Sequence, residues 1–186
     1  MTTEVARPKL TYEDLLCWPE DGKRHELIDG EHYVTPAPIP RHQIVSIRLS
    51  SRIGRVVAEQ DLGLLLYAPV DIVFSEVDVV EPDLLFIARH RLDIVGETHV
   101  HGAPDLLVEI LSPSTRRRDE ITKRHLYEQN GVREYWVVDP ELEAIKVYRL
   151  AGETYRREAE LTVETGDRLS SPLFPGLEIP LAEILK

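Results

Sequence analysis

APDLLVEILSPSTRRRDEITKRHLYEQNG, residues 103–131, is the strand-to-helix unit from which the rest of the chain is read. Leu106 to Leu111 form an apolar run broken by one acid, Glu109. So short a run without polar alternation suits a strand covered on both faces. Ser112, Pro113 and Ser114 stop the strand and start a helix predicted over 116–130. Gly131 closes that helix, since glycine takes the left-handed conformation after a last turn without a Cβ clash. Asp119, Lys123 and Tyr127 recur at i, i+4 and i+8, which places them on one helix face. That face can look back at the end of the preceding strand.

Upstream, Thr11 is a helix N-cap with Asp14 in the first turn, and a short helix over 12–18 stops at Pro19. RHELIDGEHYVTP reads as two strands turned at Asp29-Gly30. Pro36, Pro38 and Pro40 stiffen the connection to a long amphipathic helix over 42–60. There Ile44, Ile47, Leu49, Ile53, Val56 and Val57 mostly share one apolar stripe. LLLYAPVDIVF and VVEPDLLFIA follow as strand candidates, separated by a turn around 75–78. Downstream, REYWVVD, EAIKVYRL and residues 155–165 read as strands, and LAEILK as a closing helix. This order predicts an α/β (α+β) fold, a mixed sheet with helices packed on it, in one domain spanning 1–186.

With 186 residues the chain can bury a sizeable core. No apolar stretch is long enough to cross a bilayer, the opening MTTEVARPKL lacks the apolar centre of a secretory leader, and a lone cysteine allows no internal disulfide. The expected location is the cytoplasm. Cys17, inside an apolar helix, is expected in the core. The net charge of −11 repels phosphate backbones at long range. Two features offset this: Arg116, Arg117, Arg118, Lys123 and Arg124 fall close together, and a bound divalent cation reverses the local sign of an acid cluster. The basic run has an equally good plain reading as a solvated helix face.

Asp83 and Glu109 are each embedded in buried-type strands. An acid in that setting is costly unless something pairs with it. Two such acids side by side repel by roughly 1 kcal/mol at 4 Å in water and about 4 kcal/mol at an effective dielectric of 20. A hard oxygen-binding cation between them relieves the repulsion; an arginine partner, or a strand end facing water, would do so too. Lys123 can reach the same place from the helix, or form an ordinary surface pair with Asp119. If the cluster stores repulsion, replacing Asp83 by Asn in metal-free buffer leaves stability unchanged or raises it.

Glu26 in HELIDGE, His42 after the proline segment, Pro82-Asp83, APDLLVEILSPST, Asp119, Lys123, Tyr127 and GVREYWVVDP together resemble the PD-(D/E)XK nuclease superfamily. More closely they resemble its Uma family of restriction-endonuclease relatives, over nearly the whole chain. One departure stands out: the superfamily motif places its lysine two residues after the acid, where this chain has Leu111. The resemblance implies that Lys123, on the following helix, takes that role.

It further implies a restriction-endonuclease-like mixed sheet flanked by helices and Mg²⁺- or Mn²⁺-dependent hydrolysis of DNA. Asp83, Glu109 and the backbone carbonyl of Ile110 would hold the metal, Lys123 would position water or neutralise the phosphate, and Glu26 would complete the site through a water. His42, Asp119, Tyr127 and Gln129 would stand behind these groups. A homodimer, joined through the C-terminal strands or the proline-rich tail, is expected by analogy of fold. Two other functions stay open at this point: a non-catalytic binding or assembly module on the same fold, and a metal-dependent hydrolase acting on RNA.

Overall fold

The computed structural model describes residues 8–19 and 21–186. Residues 1–7, most of the stretch read above as lacking a leader, lie outside them.

Helix α1 (Tyr12–Leu16) opens with the expected cap: the Thr11 side chain accepts from the Asp14 amide, and the Asp14 carboxylate accepts from the Thr11 amide at 2.8 Å. Such a reciprocal cap stabilises by about 1 kcal/mol. The helix buries only Leu15, so Cys17 at its C-cap is exposed and not in the core. Strands β1 (Arg24–Ile28) and β2 (Glu31–Thr35) form the predicted hairpin. Its turn has Asp29 and Gly30 at φ 53° and 73°, the left-handed pair that a tight two-residue hairpin needs. Helix α2 (Pro40–Glu59) starts with Pro40 in its first turn, where a missing N–H costs nothing.

The next two strand candidates each divide in two. LLLYAPVDIVF becomes β3 (Gly63–Tyr67) and β4 (Ile72–Ser75); VVEPDLLFIA becomes β5 (Asp78–Val80) and β6 (Leu84–Ala88). Proline cannot donate to a ladder, so Pro69 and Pro82 end one strand and let the chain change sheets. A 3₁₀ turn (Arg89–Ile94), β7 (Val100–His101) and β8 (Leu106–Ile110) follow. A π turn (Arg118–Lys123) then runs straight into α3 (Arg124–Gln129). Strands β9 (Glu134–Asp139), β10 (Ala144–Ala151) and β11 (Thr154–Thr162) form a meander. The tail makes a short ladder of β12 (Arg168–Leu169) with β13 (Ile179–Pro180) and ends in α4 (Ala182–Leu185).

Two mixed sheets result, ordered β2-β1-β5-β4-β7 and β11-β10-β9-β8-β6-β3. In the larger, β8 and β9 run parallel and the other neighbours antiparallel. Alternation along its strands sorts the core. Leu84 and Phe86, Val108 and Ile110, and Trp136 and Val138 pack with Val45, Leu49 and Ile53 of α2. Leu85, Ile87, Leu107, Tyr135 and Val137 pack on the other side with Leu126 and Tyr127 of α3. Glu109 falls on the α3 side by the same period of two. Pro82-Asp83 is the link by which the chain leaves the smaller sheet for the larger. No helix of the described residues is long and apolar enough to cross a membrane.

Candidate active site

The side chains of Asp83, Glu109 and Lys123 all line one cleft of about 190 Å³. Its walls are the proline segment between β2 and α2 and the turn from β8 into the π helix, Ser112 to Thr115. Glu26, His42, Asp119 and Ile110 line it as well. Gln129 does not: it is exposed on the last turn of α3 and leaves the set of site residues.

Lys123 is 2 % exposed, and its ammonium joins the two sheets. Nζ lies 2.6 Å from Glu26 Oε1 on β1 and 2.9 Å from Glu109 Oε1 on β8. Asp119 Oδ1 is 3.9 Å away. Glu109 Oε1 also accepts from the Tyr127 hydroxyl at 2.7 Å. The expected face of Asp119, Lys123 and Tyr127 therefore exists, but it is built through a π turn and not a regular α-helix. The cause is visible at Asp119. Its carbonyl accepts from the Tyr135 hydroxyl of β9 at 3.0 Å, whereas an α-helix would reserve it for the amide of Lys123. A side chain inserted there breaks the ladder and lets it slip to i→i+5.

Asp83 is held on both oxygens. Arg24 Nη1 donates to Oδ1 at 2.8 Å; Oδ2 accepts the Ile110 amide at 2.7 Å and lies 3.0 Å from His42 Nε2. Ile110 thus meets Asp83 through its N–H. The Asp83 carbonyl accepts from the Ala68 amide, which fixes the backbone at the sheet crossing. Glu26 Oε1 accepts the Glu81 amide at 2.9 Å, and Arg118 Nη2 lies 3.5 Å from Glu26 Oε2.

Sequence reasoning missed Arg24, Glu81 and Arg118. The signal for Arg24 was available: it stands two residues before Glu26 on one strand, so both point to the same face. Arg118 belongs to the basic run, whose members separate. Arg116 pairs with Asp139 and Glu141, Arg117 is exposed, and Arg118 enters the cleft and also donates to Thr35. The run is therefore not a uniformly solvated face.

Five carboxyl groups (Glu26, Glu81, Asp83, Glu109 and Asp119) face three fixed cations, Arg24, Arg118 and Lys123, around the cleft. Burial pushes the Glu109 carboxyl up to about 8, with Asp119, Asp83 and Glu26 adding to the rise against the pull of Lys123. Burial raises Asp119 too, and lifts Glu81 to about 7. For Asp83 burial also opposes the charge, but His42, Arg24 and the Ile110 amide outweigh it and hold the group below the usual range. Lys123 is destabilised by burial yet kept protonated by Glu109, Glu26 and Asp119.

The donor set suits a hard cation. Among the described residues Glu26 Oε2 and Asp119 Oδ1 are buried without a hydrogen-bond partner, and every acid at the cleft offers oxygen. The set is not pre-assembled: among the described residues no group of three or more His, Cys, Asp or Glu side chains is placed to hold a metal ion, so binding one requires these side chains to shift.

Comparison with known proteins bears on the family and the fold. The family Uma2, described as "Putative restriction endonuclease", matches residues 12–182. An uncharacterized protein of Synechocystis sp. is 28% identical over 151 residues, covering 76% of this chain and 74% of the relative. A crystal structure described as a "putative nuclease belonging to DUF820" from Anabaena variabilis superposes with a TM-score of 0.79 at 22% identity. That match covers 95% of this chain and 97% of the other, and it identifies the fold as restriction-endonuclease-like.

Proposed function

We propose, from the premise that this chain belongs to the Uma2 family, that it is a metal-dependent endonuclease hydrolysing DNA phosphodiester bonds. One observation carries the reading: the carboxyl groups of Asp83, in the link just before β6 and not on a strand as the sequence suggested, and of Glu109, on β8, meet the Lys123 ammonium of the π turn in a cleft whose acids outnumber its fixed cations. A structural core would pair those charges one to one.

Asp83 and Glu109, with the carbonyl of Ile110, would hold Mg²⁺ or Mn²⁺, and Glu26 would complete the site through a water. The chemistry such an ion supplies is charge neutralisation at the phosphate and a lowered water pKa. The protein's own groups do the rest. Lys123, fixed between Glu26 and Glu109, keeps its proton and presents positive charge where negative charge builds on phosphorus. Tyr127 orients Glu109 by donating to Oε1, and His42 orients Asp83. Arg24, now paired with Asp83 Oδ1, would be the guanidinium nearest the phosphate if a cation took its place on that carboxylate.

The Arg24–Asp83 pair also favours a second reading, a non-catalytic binding module in which that pair is purely structural. Plasmid cleavage in Mg²⁺ by the native chain and by Asp83→Asn, Glu109→Gln and Lys123→Met separates the two, with circular dichroism to confirm folding. The endonuclease reading expects cleavage that EDTA abolishes and each substitution reduces at least about a hundredfold. Cleavage undiminished in all three folded variants would refute it.

A further inference from the structure

The cleft does not end at Asp83. Beyond it the surface opens into a larger groove of about 790 Å³, and Arg24, His42, Glu81 and Asp83 line both. At the groove's outer end stands Tyr67, the last residue of β3, with 67% of its surface open to solvent. Lys23 and Arg24 form a second wall. Gln43 and Ser46, from the first turns of α2, face the same space, and neither side chain has a hydrogen-bond partner among the described residues.

A single exposed aromatic is ordinary on a protein surface. Tyr67 is distinguished by its place, on a groove that shares Arg24, His42, Glu81 and Asp83 with the candidate active site. The groove's size is that of a small-ligand pocket. It offers a flat ring, amide and hydroxyl groups, and two cations, Lys23 and Arg24, paired with Asp21 and Asp83, beside the carboxyl groups of Asp71 and Glu81. An unpaired nucleotide presents the matching set: a free π face, base-edge donors and acceptors, and a phosphate. A base inside a duplex has both faces covered by its neighbours. The net charge of −11 points the same way, because so acidic a chain is repelled more strongly the more duplex backbone it must follow. The exposed Lys23–Asp21 pair at 2.9 Å is weak enough for a phosphate to replace Asp21.

We propose that this groove binds an unpaired nucleotide of the substrate strand beside the scissile phosphate, its base stacked on Tyr67 and its phosphate against Lys23 and Arg24. The substrate is then single-stranded at the site, or locally opened there. This deepens the hydrolytic reading and rests on it for what is cut, while the binding itself is separable.

Fluorescence anisotropy tests it with the full chain, Ca²⁺ in place of Mg²⁺, and a short labelled single-stranded DNA against its own duplex. The single strand should bind more tightly. Tyr67→Ala should weaken single-strand binding about tenfold and Tyr67→Trp should restore it. The plot of log affinity against log salt should be shallow, with a slope of about −0.7 to −1.4, as expected for one or two phosphates of a single strand. Equal or tighter binding of the duplex, or a Tyr67→Ala chain that binds like the native one, overturns the proposal. The two readings fail differently. Tyr67-dependent binding with no cleavage in Mg²⁺ refutes the hydrolase and leaves the groove; cleavage with Tyr67→Ala unimpaired refutes the groove and leaves the hydrolase.

Discussion

Arg24 Nη1 lies 2.8 Å from Asp83 Oδ1, inside the cleft and not on an outer surface. Both side chains are largely buried, and the same guanidinium reaches the carbonyl of Glu81 at 3.3 Å. Arg24 thus supplies the positive charge that a cation at Asp83 would bring, so a metal bound there would have to compete with the guanidinium for one carboxylate.

Removing the competitor should strengthen metal binding. Arg24→Gln is expected to tighten Mn²⁺ binding about tenfold by calorimetry, a gain of roughly 1.4 kcal/mol. In EDTA the same variant should lose about 2–3 kcal/mol of stability to urea, the low end of the cost of breaking a buried pair, because His42 and the Ile110 amide still hold the carboxylate. Weaker metal binding by Arg24→Gln would show that the guanidinium helps to build the metal site.

The pairing also reverses an expectation formed from sequence. Asp83→Asn looked neutral or stabilising without metal, on the premise of stored repulsion. The structure places three partners on Asp83 and holds its carboxyl below the usual range. A depressed carboxylate stabilises the fold above the unfolded pKa, and that stability is lost as pH falls through the folded value. Asp83→Asn should therefore cost about 1–3 kcal/mol at neutral pH in EDTA. The gap between variant and native melting temperatures should close as pH drops through the carboxylic range. A variant melting above the native chain at neutral pH would restore the repulsive view.

The legible parts of the molecule were those governed by local rules. The Asp29-Gly30 turn, the period of two that turns Glu109 towards α3, and Lys123 following Asp119 by four residues could all be read in advance. What could not be read depended on distant partners. Pro69 and Pro82 stand plainly in the sequence, but that the chain changes sheets at each requires knowing what the strands pair with. The π turn arises because Tyr135, 16 residues beyond Asp119, takes a helical carbonyl. Arg24 was hidden for a similar reason: its partner Asp83 lies 59 positions away.

Tyr127 offers a clean substitution. Its hydroxyl donates to Glu109 Oε1 at 2.7 Å and the ring is fully buried. Tyr127→Phe keeps the shape and removes one of the two donors on Oε1, Lys123 remaining, which costs about 0.5–1.5 kcal/mol of stability. If the hydroxyl orients Glu109, cleavage should slow about tenfold while affinity for DNA is unchanged. An unaltered rate would assign Tyr127 to packing alone.

Glu109 makes the cleft sensitive to pH in a direction that can be worked out. Burial raises its carboxyl from 4.5 to about 8 in the folded chain. Between those values the folded state holds a proton that the unfolded state releases, so stability falls as pH rises. The slope is about 1.4 kcal/mol per pH unit for one proton. Glu81, raised to about 7, adds to the fall over the lower part of the range. Metal-free urea midpoints should therefore decline from mildly acidic pH to about 8 and then level off. Glu109→Gln should leave a smaller decline ending near 7. Saturating Mg²⁺ should flatten the native curve, because the ion displaces the proton, and its affinity should rise up to about pH 8. A metal-free native chain whose stability is flat from about pH 5 to 8 would mean that Glu109 is ionised throughout, held so by Lys123, and that it carries no proton for a cation to displace.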